Sequence, residues 1–526
     1  MCYFTPSIDV LDSNNILQWG HENIIHSYAL SLLFIIPVIT MILNFFIKEM
    51  LASKISLIAL SINLFISIYF TNLEFKGWNN ISANFKINLW DWVSFNLDGL
   101  SIFYVLLTSI LMLVCYILII YIKTDEKLYL QCILFMTLLF NLVFTIQDIF
   151  GFYLFFEAMV IPMYILIGVW GSRYEKVKAS YYFIVYTIGG SAILLLGILL
   201  TWAYTGTTSL PLLANIALPE QLENFLFLGF FLSFAAKIPL IPFHIWLPLA
   251  HVEAPVAGSV ILAGLLIKLG TFGFIKFAFL LTPNSCIIFA PLIIVFSVIS
   301  IIYASLSTIR QTDLKRVIAY SSVAHMGVAT MSLFTLTALG VAASIVLQLA
   351  HGLVSSALFI LVTILYNHHH TRSIPYYSGV AISMPLFATA FVFFSLCNIG
   401  IPLTGNFVGE FLSLMAGFNY GPWLAAVSLT GIVLSACYAL FLVSRVCYGK
   451  ASMYLTELKD MNRIETVIMI SFTVLILIMG IFPNLLLDII IPDLILPSPR
   501  TTPALANVFE TFPNILNLNY KSSSGN

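Results

Sequence analysis

The stretch SFAAKIPLIPFHIWLP, residues 233–248, contains a lysine and three prolines, and it overlaps the end of an otherwise apolar run at 225–247. Each proline lacks a backbone N–H donor and therefore ends or kinks a helix. At membrane depth, a broken helix is tolerated only where protein covers it or where it lines a cavity. The stretch therefore predicts a transmembrane helix that is broken next to Lys237.

A second apolar run, at 380–416, is interrupted in a similar way. It contains CNIGIPLTGNFVGEFL, residues 397–412, in which glycine and proline precede Glu410. Interrupted helices in corresponding positions are typical of transporters built from repeats, with the transport site at the breaks. The two breaks lie five apolar runs apart, so the second copy of a five-helix repeat is expected to be inverted.

The composition is that of a membrane protein. Of 526 residues, 60% are hydrophobic and only 9% are charged, against roughly 25% charged residues in soluble domains. This excludes a soluble protein. The formal net charge is -1, which gives no support to a nucleic-acid-binding surface.

The apolar runs predict the architecture. About fourteen of them approach the ~20 residues that a helix needs to cross the hydrocarbon layer. We predict an all-α polytopic membrane protein with two inverted five-helix repeats and broken helices. The predicted units are 1–128 with helices 1–3, 129–280 as the first repeat with helices 4–8, 286–446 as the second repeat with helices 9–13, 464–487 as helix 14, and 488–526 as a polar C-terminal tail.

Basic residues are concentrated in the loops that follow the odd-numbered predicted helices, and Lys315 and Arg372 are two of them. Fewer basic residues lie in the loops on the opposite side, and Lys276 is one of those. Positive residues mark the side of the membrane on which a chain is made. The odd loops are therefore expected to face that side, which we call the odd-loop face, and both termini are expected to face away from it.

Four ionisable residues lie well inside apolar runs: Glu157, Lys237, Lys268 and Glu410. Each costs at least about 2.5 to 3.5 kcal/mol at a helix centre, so such residues usually face a polar interior and mark ion or proton pathways. The alternative is that a buried glutamate and lysine form a structural pair that fixes helix register. Four charges on four helices favour a relay over such a pair.

Polar side chains recur at helical spacing beside these charges, which places them on shared helix faces. The sets are Ser233, Lys237 and His244; Gly264, Lys268 and Thr271; Ser321, Ser322 and His325; and Gln348, His351 and Ser355. A hydrated path is one interpretation of these stripes. Hydrogen-bonded packing histidines are the other.

The sequence lacks the local patterns that hold redox groups. Its seven cysteines are scattered without a CxxC pair, and no glycine-rich nucleotide loop follows a strand. We therefore expect no cofactor and no metal in this chain. The run from His368 to His370 is interpreted as a solvated loop end, because three consecutive residues cannot converge on one ion.

Several motifs together carry a family resemblance. They are AAKIPLIPFHIWLPLAHVEAPVAGSVILAGLLIKLG at 235–270, RQTDLKRVIAYSSVAHMG at 310–327, QLAHGLVSSALFIL at 348–361 and GIPLTGNFVGEF at 400–411. With these motifs the chain resembles the subunit 4 family of antiporter-like chains in the proton-pumping NADH:ubiquinone oxidoreductase, of mitochondrial type. The sequences before residue 98 and after residue 498 depart from the family pattern.

The resemblance implies a site. It assigns the family's transmembrane glutamate to Glu157, its broken-helix lysine to Lys237, its central lysine to Lys268 and its exit-side acid to Glu410, and it adds His325 and His351 as groups that join two half-channels. It also implies that NADH, FMN, iron-sulfur clusters and ubiquinone are bound by other subunits. The expected partners are the other subunits of the complex, especially the neighbouring antiporter-like subunits 2 and 5, and the lipid bilayer of the mitochondrial inner membrane.

Electrostatics suggests how such a site works. Burial disfavours a charged lysine and a nearby carboxylate favours it, so movement of Glu157 relative to Lys237 would make the lysine capture or release a proton. Two alternatives remain at this stage. A multisubunit sodium/proton antiporter subunit would share the fold and the charged positions, and a structural membrane scaffold would need none of the charges.

Overall fold

The computed structural model describes residues 13–75, 87–90, 93–121, 125–452 and 459–495. The first residues of the predicted N-terminal unit and residues 496–526 of the predicted tail lie outside these ranges. Almost all of the described chain is helical, because a backbone in hydrocarbon must satisfy its hydrogen bonds within its own segment. The predicted all-α membrane fold is confirmed.

The helices fall into four groups along the chain. The N-terminal group comprises α1 (Ser13–Phe46), α2 (Glu49–Phe75), α3 (Gly99–Ile117) and α4 (Glu126–Thr145). The second comprises α5 (Ile149–Ala158), α6 (Val160–Trp170), α7 (Lys176–Thr205), α8 (Leu210–Leu213), α9 (Glu220–Lys237), α10 (Trp246–Glu253), α11 (Val256–Ile261), α12 (Ile267–Gly273) and α13 (Phe279–Leu281). The third comprises α14 (Pro283–Ile309), α15 (Leu314–Leu333), α16 (Ala338–His369), α17 (Val380–Ser383), α18 (Pro385–Ile399), α19 (Gly405–Tyr420) and α20 (Pro422–Val446). The last comprises α21 (Arg463–Ile481) and α22 (Asn484–Ile495).

Eleven helices of the described chain are long and apolar enough to cross a membrane, and the apolar helix α18 is shorter. The three predicted spans missing from the eleven are represented by α9, α15 and the pair α18 and α19. These helices carry charged or polar residues or are broken. The exact count of fourteen is therefore not confirmed by length and composition, and the boundaries of the two repeats stay a prediction.

Both predicted helix breaks are present. Helix α9 ends at Lys237, and residues 238–245 form turns before α10 begins at Trp246. Helix α18 ends at Ile399, and α19 begins at Gly405, so that Glu410 lies in the second turn of α19. One expectation changes as a result: because α9 stops at Lys237, His244 is not on the same helix face as Ser233 and Lys237.

The centre of the molecule is built around α16 and the continuous helix Val256–Leu281, which are almost wholly buried. The second helix contains two π-helical segments, Leu262–Leu266 and Phe274–Ala278, on either side of Lys268. A Cβ atom at Gly352 of α16 would lie 3.2 Å from the carbonyl oxygen of Gly264. Glycine therefore lets the two backbones approach closely at this point.

The structure corrects the predicted C-terminal boundary and adds a small sheet. The predicted tail begins at residue 488, but α22 continues to Ile495, because Ile489 and Ile490 are buried apolar residues and α22 packs against α3 and α16. Strands β1 (Ile87–Trp90) and β2 (Val93–Phe95) form a two-stranded antiparallel sheet that the all-α prediction did not include.

Three basic residues counted as loop residues are buried in the structure. Lys276 lies within the π-helical segment Phe274–Ala278 and forms an ion pair with Asp98. Lys315 donates to the carbonyl oxygen of Ala254 at 2.9 Å, and Arg372 contacts the carbonyl oxygen of Val252. Each charge can be buried because protein oxygens surround it.

Candidate functional site

Lys268 is fully buried at the point where the helix Val256–Leu281 meets α16. Its Nζ atom lies 3.1 Å from Nδ1 of His351, which is also fully buried, and donates to the carbonyl oxygen of Ala263. That carbonyl lies in the first π-helical segment, where the altered turn presents it to the amine. A π segment at such a position is common at functional sites.

The contacts continue from His351 to Glu410. The ring of His351 lies 5.4 Å, centroid to centroid, from the ring of His325 on α15. Nδ1 of His325 lies 2.9 Å from Oε1 of Glu410 on α19. The structure therefore brings four of the six predicted site residues into one buried row that runs across four helices: Lys268, His351, His325 and Glu410.

A hydrogen-bonded group supports this row from one side. Oε1 of Gln348, one turn before His351, accepts from the hydroxyl groups of Tyr104 at 2.7 Å and Thr271 at 2.5 Å. The Gln348 amide nitrogen donates to Ser344 at 2.9 Å. Because Thr271 lies one turn after Lys268, the group fixes α16 and α12 relative to each other at the site.

The other two predicted residues, Glu157 and Lys237, lie apart from this row and do not form a direct ion pair. They remain within electrostatic range of each other. The Lys237 Nζ atom lies 4.5 Å from the centre of the Phe156 ring, a cation–π contact. The Lys237 amine has no hydrogen-bond partner among the described residues, and the Glu157 carboxylate lies beside the Ser191 hydroxyl.

The buried Lys237 amine is a charge without a direct partner among the described residues. Leaving one such group without a partner costs about 1 to 3 kcal/mol, and more when it is charged. Ser233, whose hydroxyl is also unpartnered, lies one turn before Lys237 on α9. Phe234 of α9 packs against Phe274 at 4.9 Å between ring centroids. The polar groups near Lys237 are thus bordered by an apolar contact with the helix that carries Lys268.

A second ionic cluster lies at the odd-loop face, and sequence reasoning missed it. Glu253 accepts from the backbone N–H of Arg173 at 3.0 Å, while Arg372 contacts Ser172 and Lys315 contacts the end of α10. Four chain segments meet here: the loop before α7, the end of α10, the start of α15 and the loop after α16. The motif HVEAP contains Glu253, but the residue follows a broken helix, so the sequence predicts a loop position for it and not a buried charge.

His251 connects this cluster to the row electrostatically. Its ring is fully buried and stacks on Phe359 at 4.5 Å between centroids. Both ring nitrogens lack partners, and both Lys268 and Lys315 are within electrostatic range. No pattern of spacing identified this histidine, because its neighbours come from α15 and α16.

The histidines next to Arg372 lie outside the site. His368 and His370 are exposed, and His369 is half-buried, with its ring 6.0 Å from that of Tyr376. Their position at the end of α16 agrees with the interpretation of this run as a loop end.

Comparison with known proteins assigns the chain to a family. The sequence model described as "NADH:quinone oxidoreductase/Mrp antiporter, TM" matches residues 147–435. The chain belongs to this family. The matched range includes both helix breaks and all six predicted site residues.

Members of the family are similar over most of the chain. A protein of Metridium senile named NADH-ubiquinone oxidoreductase chain 4 is 51% identical over 409 residues, which cover 77% of this chain and 82% of that protein. A protein of the same name from Arabidopsis thaliana is 43% identical over 472 residues, which cover 88% and 95% of the two chains.

Solved structures show the same family fold. A chain of respiratory complex I from Thermus thermophilus superimposes with a TM-score of 0.80 at 27% identity and covers 92% of this chain and 99% of its own length. A chain of the Mrp complex from Dietzia sp. DQ12-45-1b gives a TM-score of 0.79 at 20% identity, covering 92% and 99% of the two chains, and that likeness concerns the fold alone.

Proposed function

We propose that this chain is a proton-translocating antiporter-like subunit of an NADH:ubiquinone oxidoreductase in the mitochondrial inner membrane. The observation that carries the proposal is the buried row from Lys268 to Glu410, with contacts of 3.1 Å at one end and 2.9 Å at the other. Family members named NADH-ubiquinone oxidoreductase chain 4 support the assignment to this complex.

In the proposed relay, Glu157 and Lys237 act as the gate. Lys237 takes up a proton when the carboxylate of Glu157 approaches and releases it when the carboxylate withdraws, because a charge pair at ~4 Å is worth about 4 kcal/mol at an effective dielectric constant of ~20. Moving one charge across 100 mV requires about 2.3 kcal/mol. One ion pair is therefore sufficient to gate one proton.

From Lys237 the proton reaches Lys268 through water and then passes along the row. The Lys268 amine can donate toward Nδ1 of His351, and Nδ1 of His325 can exchange a proton with Glu410. The ring nitrogens of His351 and His325 that face neither partner are unpartnered and buried. Water between these two rings would complete the path, since buried unpaired nitrogens are normally satisfied by water.

The redox groups are proposed to lie in other subunits. This chain would then convert a conformational or electrostatic signal into proton movement. Purified chain should show no flavin or iron absorbance and no oxidation of NADH, and either signal would contradict the assignment. We further propose that its neighbours are the antiporter-like subunits 2 and 5. The Phe-rich composition, with 44 phenylalanines, would suit an organelle-encoded chain.

The test uses the assembled complex in proteoliposomes, with proton and sodium movement measured during NADH oxidation by quinone. His351→Gln should lower proton uptake per NADH, because it interrupts the row at its centre. His370→Gln, an exposed histidine after the same helix, is the matched control and should behave as the wild type. A wild-type ratio in the His351 variant would contradict the relay.

A sodium/proton antiporter subunit is the second candidate, because the description of the matching family names the Mrp antiporter beside the oxidoreductase. It predicts sodium exchange that continues without NADH or quinone. Proton uptake that depends on NADH and is independent of sodium would exclude it.

A further inference from the structure

Helix α21 lies outside the matched range 147–435 and outside both predicted repeats. It nevertheless packs against α19 and α16, each of which carries a residue of the buried row. The buried face of α21 includes side chains at a spacing of four residues, namely Ile468, Phe472 and Ile476. Gly480 is the next position at this spacing and lies one residue before the helix ends. The packed face of α21 therefore ends on a residue without a side chain.

Gly480 lies directly against the backbone of residues 400–404, which join α18 to α19 and which we call the 400–404 turn. A Cβ atom at Gly480 would overlap the carbonyl group of Leu403 and would lie 2.6 Å from the carbonyl carbon of Thr404. Carbon atoms in contact are normally ~3.5 to 4.0 Å apart. Any side chain at residue 480 would therefore displace either the turn or α21.

The 400–404 turn needs support at this point. Leu403 has a φ of +78°, in the left-handed region that residues other than glycine rarely adopt. Such a conformation persists only where the surrounding structure holds it in place. The Leu403 side chain is 64% exposed and contributes little packing of its own, whereas Gly480 lies against the Leu403 carbonyl group. Helix α21 therefore supplies the support.

The first residue of α19 is seated on the same end of α21. A Cβ atom at Gly405 would lie 3.0 Å from the Cβ atoms of both Met479 on α21 and Ala350 on α16. Ala350 is the residue before His351 of the buried row. The last turn of α21 thus contacts both the 400–404 turn and the start of the helix that carries Glu410.

The 400–404 turn connects this contact to the carboxylate. Thr404 donates to the carbonyl oxygen of Ile401 from its backbone N–H at 3.2 Å and from its hydroxyl at 2.6 Å, and Gly400 donates to Cys397 at 3.1 Å. At the other end of the turn, a Cβ atom at Gly400 would lie 2.6 Å from Oε2 of Glu410. Because the turn is closed by these hydrogen bonds, a displacement at residues 403 and 404 reaches the backbone beneath the carboxylate.

We propose that Gly480 of α21 is a positioning residue for proton exchange, because it holds the 400–404 turn where Glu410 meets His325. The inference rests on the proposed function, in which Glu410 exchanges a proton with His325. Their contact, from Oε1 to Nδ1, is 2.9 Å, within the range of about 2.6 to 3.2 Å that proton transfer requires. A displacement of the carboxylate by about 1 Å away from the ring exceeds this range. A helix outside the repeats thereby controls the end of the relay.

The first test is Gly480→Ala in the assembled complex in proteoliposomes. Alanine is the better helix former, so helix propensity alone would not weaken α21. Since a displacement of about 1 Å in a reacting group can cost up to about a hundredfold in rate, the rate of proton uptake should fall at least about tenfold. Gly168→Ala on α6 is the matched control, because a Cβ atom there has no other atom within 4 Å, and it should pump as the wild type. A wild-type rate in Gly480→Ala would overturn the proposal.

Leu403→Gly separates positioning from general packing. Glycine adopts a φ of +78° without strain, so this variant alone should pump as the wild type. In the double variant Gly480→Ala/Leu403→Gly, the freer backbone can turn its carbonyl group away from the alanine, and most of the lost rate should return. No recovery would contradict the proposal. If Gly480→Ala does not assemble, assembly of the double variant is the readout, and its failure to assemble would contradict the proposal in the same way.

A map of the Gly480→Ala complex at side-chain resolution tests the geometry without reference to pumping. The 400–404 turn should be displaced, and the distance from Glu410 Oε1 to His325 Nδ1 should increase from 2.9 Å to beyond about 3.5 Å. If α21 moves away instead while Glu410 and His325 stay in contact, the positioning role is wrong.

Glu410→Gln distinguishes a failure of this inference from a failure of the proposed function. If Glu410→Gln abolishes proton uptake while Gly480→Ala pumps as the wild type, the inference about Gly480 fails and the relay stands. If Glu410→Gln pumps normally, the proposed role of Glu410 in the relay is wrong, and the inference fails with it.

Discussion

Replacing Lys268 with arginine should stop proton movement although the positive charge is kept. Lysine can release its proton in a buried site, whereas the guanidinium group of arginine stays protonated in proteins. The proposed relay needs Lys268 to alternate between two protonation states. Lys268→Arg should therefore fail as completely as Lys268→Met, which removes the charge.

The size of the effect follows from the contact with His351. The two nitrogens are 3.1 Å apart, and two unit positive charges at this distance repel by about 5 kcal/mol at an effective dielectric constant of ~20. Since about 1.4 kcal/mol is a factor of ten, a fixed charge at residue 268 lowers the protonated population of His351 by roughly three to four orders of magnitude. A proton could then no longer pass the row.

The assay compares proton uptake per NADH oxidised in proteoliposomes that contain the assembled complex. Lys276→Arg is the matched control, because Lys276 is buried on the same helix but forms an ion pair with Asp98 that an arginine can retain. Native gels should show that all variants assemble. Methionine is no larger than lysine, so failure of Lys268→Met as well as Lys268→Arg would show that the loss does not come from the larger arginine side chain alone. Wild-type rate and stoichiometry in Lys268→Arg would refute the proposed alternation of Lys268.

Three further outcomes are expected. Glu157→Gln and Lys237→Ala should each strongly reduce NADH oxidation coupled to quinone while native gels show an intact complex; normal coupled activity in both would remove the gate role. Glu410→Ala should lower proton uptake per NADH, whereas Glu410→Asp should keep part of it, because a carboxylate remains; equal ratios for the wild type and the alanine variant would exclude a proton-carrying role. Gln348→Leu should lower the thermal unfolding temperature of the complex, because it leaves the buried Tyr104 hydroxyl without its acceptor at a cost of about 1 to 3 kcal/mol; an unchanged unfolding temperature would show that water replaces the amide.

Much of the site was predictable because charges are rare in apolar runs. Lys268, Glu410, His325 and His351 were identified from their position inside such runs, and the structure brings them into one row. The breaks at 238–245 and 400–404 followed from proline and glycine, which cannot continue a regular helix. Buried charges and helix breaks depend on residues that are close together in the chain, so a single sequence is enough to predict them.

Other features depended on contacts between distant segments. Lys315 and Arg372 looked like loop residues but are buried, because the end of α10 lies against them at the odd-loop face and supplies carbonyl oxygens to both. The tail boundary failed for a similar reason. The apolar residues near 490 do not by themselves distinguish a packed helix from a loop. Their helix is defined by its packing against α3 and α16.

By itself, the sequence determined that this is a helical membrane protein with two broken helices and a few buried charges. The free-energy cost of burying a charge or losing a backbone hydrogen bond in a membrane arises at an individual residue, so residue types and their order are enough to predict these features. Only the tertiary structure decided that Lys268 contacts His351, that His325 contacts Glu410, and that Glu157 and Lys237 form no direct ion pair. Those pairings join residues far apart in the chain, and their geometry is set by how whole helices pack, which no local pattern encodes.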